Sequence, residues 1–296
     1  MKNLFAPRAT VAPARGQSLG AQAWARLRQN RSAVFSIRVL YGMILLVCLG
    51  PWLSPYDVAE VDFKHISVPP NVADWHFFGT DAVGRDLYVR TLQGGRLSLA
   101  IGLVATLVSL TIGVTYGAIA GYLGGRVDAV MMRWVDILYA LPFMFLVIVL
   151  MVAFGRHIIL IFVAIGAINW LDLARIVRGQ TLALKHQEFI EAAKICGAGP
   201  LRIISRHIVP NLLGIVVVYV TLTIPQAILV ESFLSFLGLG VQEPATSWGT
   251  LVNEGAQEME SAPWTLGFPA LFLVTALFCF NFIGDGLRDA LDPKDR

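Results

Sequence analysis

Cysteine is nearly absent from this chain. Cys48, Cys196 and Cys279 are its three, and they lie far apart, so neither a disulfide framework nor a metal-ligand spacing is visible. No Gly-Lys dipeptide occurs, which excludes the phosphate loop that ends in Gly-Lys-Ser/Thr and any expectation that the chain hydrolyses ATP itself. The five histidines, His65, His76, His157, His186 and His207, are dispersed, with no HExxH zinc site and no Ser/His/Asp set, so an enzyme is not expected. Charged residues make up only 15%. The basic ones gather at the edges of apolar segments, where lipid headgroups and positive-inside sorting account for them, so nucleic-acid binding has no support. The first thirty residues lack the apolar core of a secretory signal and carry Lys2, Arg8, Arg15, Arg26 and Arg28. They read as a cytoplasmic tail, 1–32, leading into a basic, partly amphipathic helix around Trp24.

What the chain has is apolar length. Hydrophobic residues reach 56% and the mean hydropathy is +0.67, too apolar for a soluble domain. The expected fold is an all-α integral membrane protein with six transmembrane helices. A bilayer crossing needs about 20 residues of helix, and spans of suitable length fall at 33–53, 97–122, 137–154, 157–177, 212–233 and 264–284. With these spans, and with Arg175 at the end of the fourth counted beside the insert it adjoins, 17 of the 23 Lys and Arg lie on one side and five on the other. The positive-inside rule then places both termini, and the polar connection at about 178–210, in the cytoplasm.

Three segments stand out from the spans. The first external loop, 54–96, carries the run from Phe78 to Asp86, FGTDAVGRD. Thr80 or Asp81 is a candidate helix cap, and Arg85 with Asp86 a candidate local ion pair; the paired aspartates lack the alternating oxygen ligands of a calcium loop. A second external segment, 237–262, has no Lys or Arg but includes Glu243, Trp248, Glu254, Glu258 and Glu260. It reads as a cap over the outer mouth or as a surface for an external partner.

The third segment is EAAKICGAGPLRIISRHIVP, from Glu191 to Pro210. Helix formers run from Phe189 to Cys196, with acids early and Lys194 late, as the helix dipole favours. Gly197 suits a positive-φ helix end, and Gly199-Pro200 breaks the chain and restarts it with proline at a first helical position. Ala192 and Ala193 leave a face small enough for close approach by a partner. Left to the residues alone, this insert is either a solvated loop or a docking element.

Within the spans, Asn169, Asp172, Glu231 and Asn281 are polar where lipid exposure is costly: Asn169 and Asp172 suit a translocation pathway or interhelical hydrogen bonding, Glu231 is a further pathway candidate, and Asn281 suits packing. Pro142 and Pro225 lie within the third and fifth spans, where proline either kinks a helix or frees carbonyls toward a cavity. Gly113, Gly117 and Gly121 form a stripe suited to close helix contact, within the subunit or across a dimer.

Glu191-Ala192-Ala193, with Gly197 and a segment ending in Pro210, resembles the EAA motif of the transmembrane subunits of ATP-binding-cassette importers. His207 stands where that motif usually has an apolar residue. The GTDxxGRD run, FLSFLGLGVQEPATSWG from Phe233 and GDGLRDALDP from Gly284 resemble the C-type permeases of peptide and nickel importers. The resemblance covers residues 33–296. It implies a type I importer fold in a bacterial inner membrane and pairing with a homologous B-type permease subunit. It further implies two ATPase subunits that carry ATP and magnesium, and an extracytoplasmic peptide-binding receptor; no cofactor is expected in this chain. Glu191, Ala192, Ala193, Gly197, Ala198, Gly199 and Pro200 would couple to the ATPases. Thr80, Asp81, Arg85, Asp86, Glu243 and Trp248 would face the receptor. Oligopeptide import is the function implied, with dipeptide, nickel or antimicrobial-peptide uptake as alternatives and a secondary transporter as a rival.

Overall fold

The computed structural model describes residues 19–155 and 158–291. The Lys2, Arg8 and Arg15 part of the basic tail, Arg156 and His157 at the fourth expected span, and the last five residues lie outside them. Among the described residues the fold is all-helical, with two isolated β-bridges and no strand. Four helical stretches, Arg31–Leu53, Leu87–Leu123, Pro200–Phe236 and Pro263–Leu291, are long and apolar enough to cross a membrane.

Helix α1 (Leu19–Gln29) lies beside α2 (Arg31–Leu49), separated by Asn30, whose side chain accepts from the Ala33 N–H at 3.1 Å and caps α2. Leu27 packs there against Ala33 and Ala290. The central element is α3 (Leu87–Leu123), about 55 Å long at 1.5 Å per residue. It starts within the segment expected to be loop. Arg90 and Arg96 give that stretch its polar look, yet both are used inside the fold: Arg96 donates to the Val47 and Cys48 carbonyls at 2.9 and 2.5 Å, serving the end of α2.

The third expected span divides into α4 (Gly125–Ala140) and α5 (Phe143–Phe154). The break falls at Leu141-Pro142, because proline forces its predecessor out of the helical region, and Leu141 has ψ 131°. Helix α6 (Ile158–Leu184) runs alongside α3 in the same direction. The glycine stripe makes this possible: a Cβ on Gly113 would meet the Leu173 side chain at 2.9 Å, and one on Gly121 the Thr181 side chain at 2.7 Å. The stripe therefore serves contact within the subunit.

After the insert, α9 (Val209–Phe236) returns antiparallel to α3, with Ile228 packed over Gly102, and contains Pro225 without a break. Helices α10 (Trp248–Gln257) and α11 (Pro263–Leu291) complete the chain. One end of the bundle thus holds the 54–86 loop and α10; the opposite end holds the insert. The two halves have separate cores, around Val47, Leu92, Ile228 and Trp248 at the loop end and around Ala118, Val177, Ile203 and Leu212 at the insert end.

Candidate coupling surface and outer cap

The insert folds into helix α7 (Glu188–Ile195), a turn, and the short helix α8 (Pro200–Ile203). The turn is closed by two backbone bonds: Ala198 N–H donates to the Ala193 carbonyl at 3.0 Å and Gly197 N–H to the Lys194 carbonyl at 2.9 Å. This is the Schellman pattern, and it needs a left-handed residue, which Gly197 supplies at φ 79°. Pro200 takes the first helical position as expected. Ile190, Ile203 and Ile208 are completely buried against α3, α6 and α9, so the turn is bolted to the bundle.

Its outer face is different. Glu188, Glu191, Ala192, Lys194, Gly197, Gly199 and Pro200 are exposed, with Ala193 and Ala198 half-buried. Phe189, Ile195 and Leu201 are exposed beside them, Ile195 by 87% and Leu201 by 77%. Large apolar side chains held in water on a rigid support mark an interaction surface. Sequence reading singled out the alanines and glycines and missed these three, although a small-residue helix next to Ile and Leu in a charged segment is a readable signal.

Between α8 and α9 the backbone widens into one π-turn, Ile204–Ile208, with Val209 N–H bonded to the Ile204 carbonyl. Pro210 follows; it has no N–H to give and its ring crowds the carbonyl four residues back, which favours the wider turn. His207 lies half-buried in this turn, and its carbonyl accepts from Asn211 Nδ2 at 2.6 Å.

At the other end the expected cap and ion pair are replaced. The N-cap of α3 is Asp86, accepting from Val89 N–H at 2.8 Å, and neither Thr80 nor Asp81. Thr80 is buried and donates to the His65 carbonyl, and Asp86 pairs with His76 at 2.8 Å and not with Arg85. Arg85 reaches Asp81 at 2.8 Å and Glu243 at 2.6 Å. Arg90, which sequence reading passed over, is buried and bonds Asp81 at 2.5 Å and Glu254 at 2.8 Å. Burial works against the Asp81 carboxylate, but the Arg85 backbone N–H and the Arg90 and Arg85 guanidiniums hold its pKa below the ordinary value. Burial pushes the Asp86 carboxyl up, despite its bonds from Val89 N–H and His76.

Trp248 is fully buried. Its indole donates to the Thr91 carbonyl at 2.9 Å and its backbone N–H to Ser98 Oγ at 3.1 Å. Of the six residues expected to face a receptor, Thr80, Asp81, Asp86 and Trp248 are buried and Arg85 is mostly covered, because the 54–86 loop and α10 pack on each other. Glu243 alone of the six is well exposed.

A family model described as the binding-protein-dependent transport system inner membrane component matches residues 113–296, and one for the N-terminal membrane domain of oligopeptide transport permease C matches 18–70. The oligopeptide transport system permease protein OppC of Escherichia coli is 58% identical over 281 residues, covering 95% of this chain and 93% of that protein. That of Haemophilus influenzae is 56% identical, covering 95% and 90%. The chain belongs to the oligopeptide permease C family. This permease is therefore an inner-membrane protein. Its dipeptide relative DppC from Bacillus subtilis is 46% identical over 93% of this chain and 85% of that protein. In fold, a chain of the MetNI methionine ABC transporter in inward-facing conformations aligns with a TM-score of 0.55 at 22% identity, covering 70% of this chain and 96% of that chain.

The three pathway candidates of the permease do not come together. Asn169 and Asp172 lie half-buried on α6, and Asn169 Nδ2 is enclosed without a hydrogen-bond partner. Glu231, on α9, is entirely enclosed within the chain, bonded by Ser235 at 2.7 Å and reached by Ser98 at 3.4 Å. Small side chains near Gly249, whose Cβ would meet Ser232, let α10 close over it. Glu231 thus sits at the junction of α3, α9 and α10, enclosed within this chain.

Proposed function

We propose that this chain is the transmembrane permease subunit of an ATP-driven oligopeptide importer. It forms half of the peptide pathway with a homologous B-type subunit and passes the ATPase signal through α7. Six crossings, made by α2, α3, α4–α5, α6, α9 and α11, put both termini and the insert in the cytoplasm; the alternating run of these elements between the two ends of the bundle supports this, as does the Lys/Arg count. ATP and magnesium would be held by the partner ATPase subunits, and peptide would arrive from an extracytoplasmic receptor.

The observation that carries the reading is the exposed face of α7 and its turn. It sets exposed Phe189, Ile195 and Leu201 and small residues among the charges of Glu188, Glu191 and Lys194, and it is rooted in the bundle by Ile190 and Ile203, which connect it directly to α3, α6 and α9. A partner that binds this face differently in its two nucleotide states shifts the equilibrium of the helices it is rooted in, and only such differential binding can do so. Closing of the ATPase pair would draw the two coupling helices together and open the pathway outward; hydrolysis would reverse it. Asn169 and Asp172 are the pathway candidates on α6. The pathway would be wide and weakly selective, with specificity residing in the receptor.

Co-purification tests the proposal. ATPase subunits should remain with the detergent-solubilised chain and be lost on Ile195→Asp; retention of full stoichiometry in that variant would overturn the assignment of α7 as the coupling element.

A further inference from the structure

The loop that leads into α3 brings together residues that the transport reading leaves unused. One coordinating atom from each of Asp62, His65 and His76 lies within 4.8 Å of the others. Three donors each about 2.0–2.1 Å from a common zinc ion would sit within the same range of one another. His65 Nδ1 is 2.7 Å from Asp62 Oδ2, and the two rings of His65 and His76 have centroids 5.4 Å apart.

His76 is the telling member. Its side chain is buried, with Nδ1 2.8 Å from Asp86 Oδ2, and its Nε2 is enclosed without any hydrogen-bond partner. An orphaned buried nitrogen is costly in a folded protein. A carboxylate on one imidazole nitrogen fixes the proton there and leaves the other as a lone-pair donor, the arrangement found behind metal-ligating histidines. Tyr56 stacks on the His76 ring at 4.4 Å and 14°, which holds the ring plane.

We propose that Asp62, His65 and His76 form a binding site for one zinc-class divalent cation, with Asp86 as the positioning residue behind His76. Two imidazoles and one carboxylate suit zinc, and three protein ligands leave a fourth position for water or a group from another chain. The segment from 54 to 86 has no regular secondary structure beyond two isolated bridges, so an ion held across residues 62–76 would cross-link it. The site is at the end of the bundle opposite α7 and stands apart from the coupling argument.

The test uses the untagged full-length chain in detergent, stripped with EDTA, loaded with zinc sulfate at micromolar concentration and freed of unbound metal. Elemental analysis should give about one zinc per chain, and cobalt loading should give the strong visible absorption of a tetrahedral site. His65→Ala and Asp62→Asn change partly exposed side chains and should each weaken zinc binding at least about tenfold. Asp86→Asn keeps an N-cap side chain for α3 but presents an amide N–H to His76 Nδ1. That moves the imidazole proton to Nε2, so zinc affinity should fall by about 10–100-fold. Zinc below about a tenth of an equivalent in the unaltered chain, or undiminished binding in His65→Ala and Asp62→Asn, would overturn the proposal.

Discussion

Arg90, only 3% exposed on its side chain, donates to Glu254 at 2.8 and 3.3 Å across 164 residues of sequence, and its Nη1 also reaches Asp81. One guanidinium thus joins the first turn of α3, the loop before it and α10. A buried charge with its partner removed is far costlier than a missing surface pair. Arg90→Ala should destabilise the chain by roughly 3 kcal/mol, because Asp81 and Glu254 lose their shared cation. Glu254→Gln retains an acceptor and should cost about 1 kcal/mol. Thermal unfolding in detergent should rank them in this order; equal small losses would show that Arg85 replaces Arg90 fully.

The same region sets an acid limit. Asp81 has a depressed folded pKa from the causes above, and so does Glu243, chiefly through its hydrogen bond from Arg85. A depressed carboxyl contributes stability above its unfolded value, about 3.9 for Asp and 4.3 for Glu, that is lost as pH falls through the folded value. Asp86 has the opposite sign: its pKa is raised by burial, so it favours the folded state at low pH and this contribution declines as pH rises through the raised value. Glu243→Gln should flatten the acid side of a stability profile, and Asp86→Asn should remove the decline above about pH 4. Unfolding temperatures measured between about pH 3 and 7 test both signs.

Close packing of α3 on α6 predicts a sharp position dependence. A Cβ at Gly117 would fall 2.9 Å from Val177 Cβ and 3.0 Å from Arg178 N, inside a helix contact with no slack. Gly117→Val should cost about 1–3 kcal/mol through overpacking. At Gly214 the nearest atom is Leu291 Cδ2 at 3.9 Å, so Gly214→Ala should be neutral or slightly stabilising. Comparable destabilisation at both sites would mean that the stripe has no special packing role.

How much could be read beforehand differs between the two ends of the molecule for a physical reason. The α7 turn is governed by local signals: acids early, Lys194 late, Gly197 at positive φ and Pro200 at the next helix start, all within a dozen residues of one another. The break at Leu141-Pro142 was marked by proline, though not its depth. The Arg90–Glu254 and Trp248–Ser98 bonds join partners 164 and 150 residues apart, and no local pattern specifies such pairings. Polar character there fitted an outer cap as well as a surface for a partner, and Thr80, Asp81, Asp86 and Trp248 lie buried where the 54–86 loop and α10 pack together. Glu231 is ambiguous in the same way, since a charge in an apolar span fits an enclosed serine-lined junction as well as a pathway.

The coupling surface yields the most discriminating variants. Ile195 and Leu201 are exposed and make little contribution to the bundle, whereas Ile190 beneath them is completely buried. Ile195→Asp should therefore leave the unfolding free energy within about 0.5 kcal/mol of the unaltered chain while weakening association with the ATPase subunits at least tenfold. Ile190→Ala should do the reverse, lowering stability by about 2–5 kcal/mol without altering the exposed face. At Gly197 a Cβ would meet nothing within 4 Å, but φ is +79°, so the site has room and backbone strain together. Gly197→Trp should still insert in the membrane, since the strain is of order 1–2 kcal/mol, and should abolish receptor- and peptide-stimulated ATPase activity by placing an indole on the docking face. Gly197→Ala carries the same strain with almost no bulk, and it should retain most of the stimulation. Normal stimulation of reconstituted Gly197→Trp would remove α7 from the coupling path, and equal loss in the alanine variant would assign the effect to the turn's conformation in place of its surface.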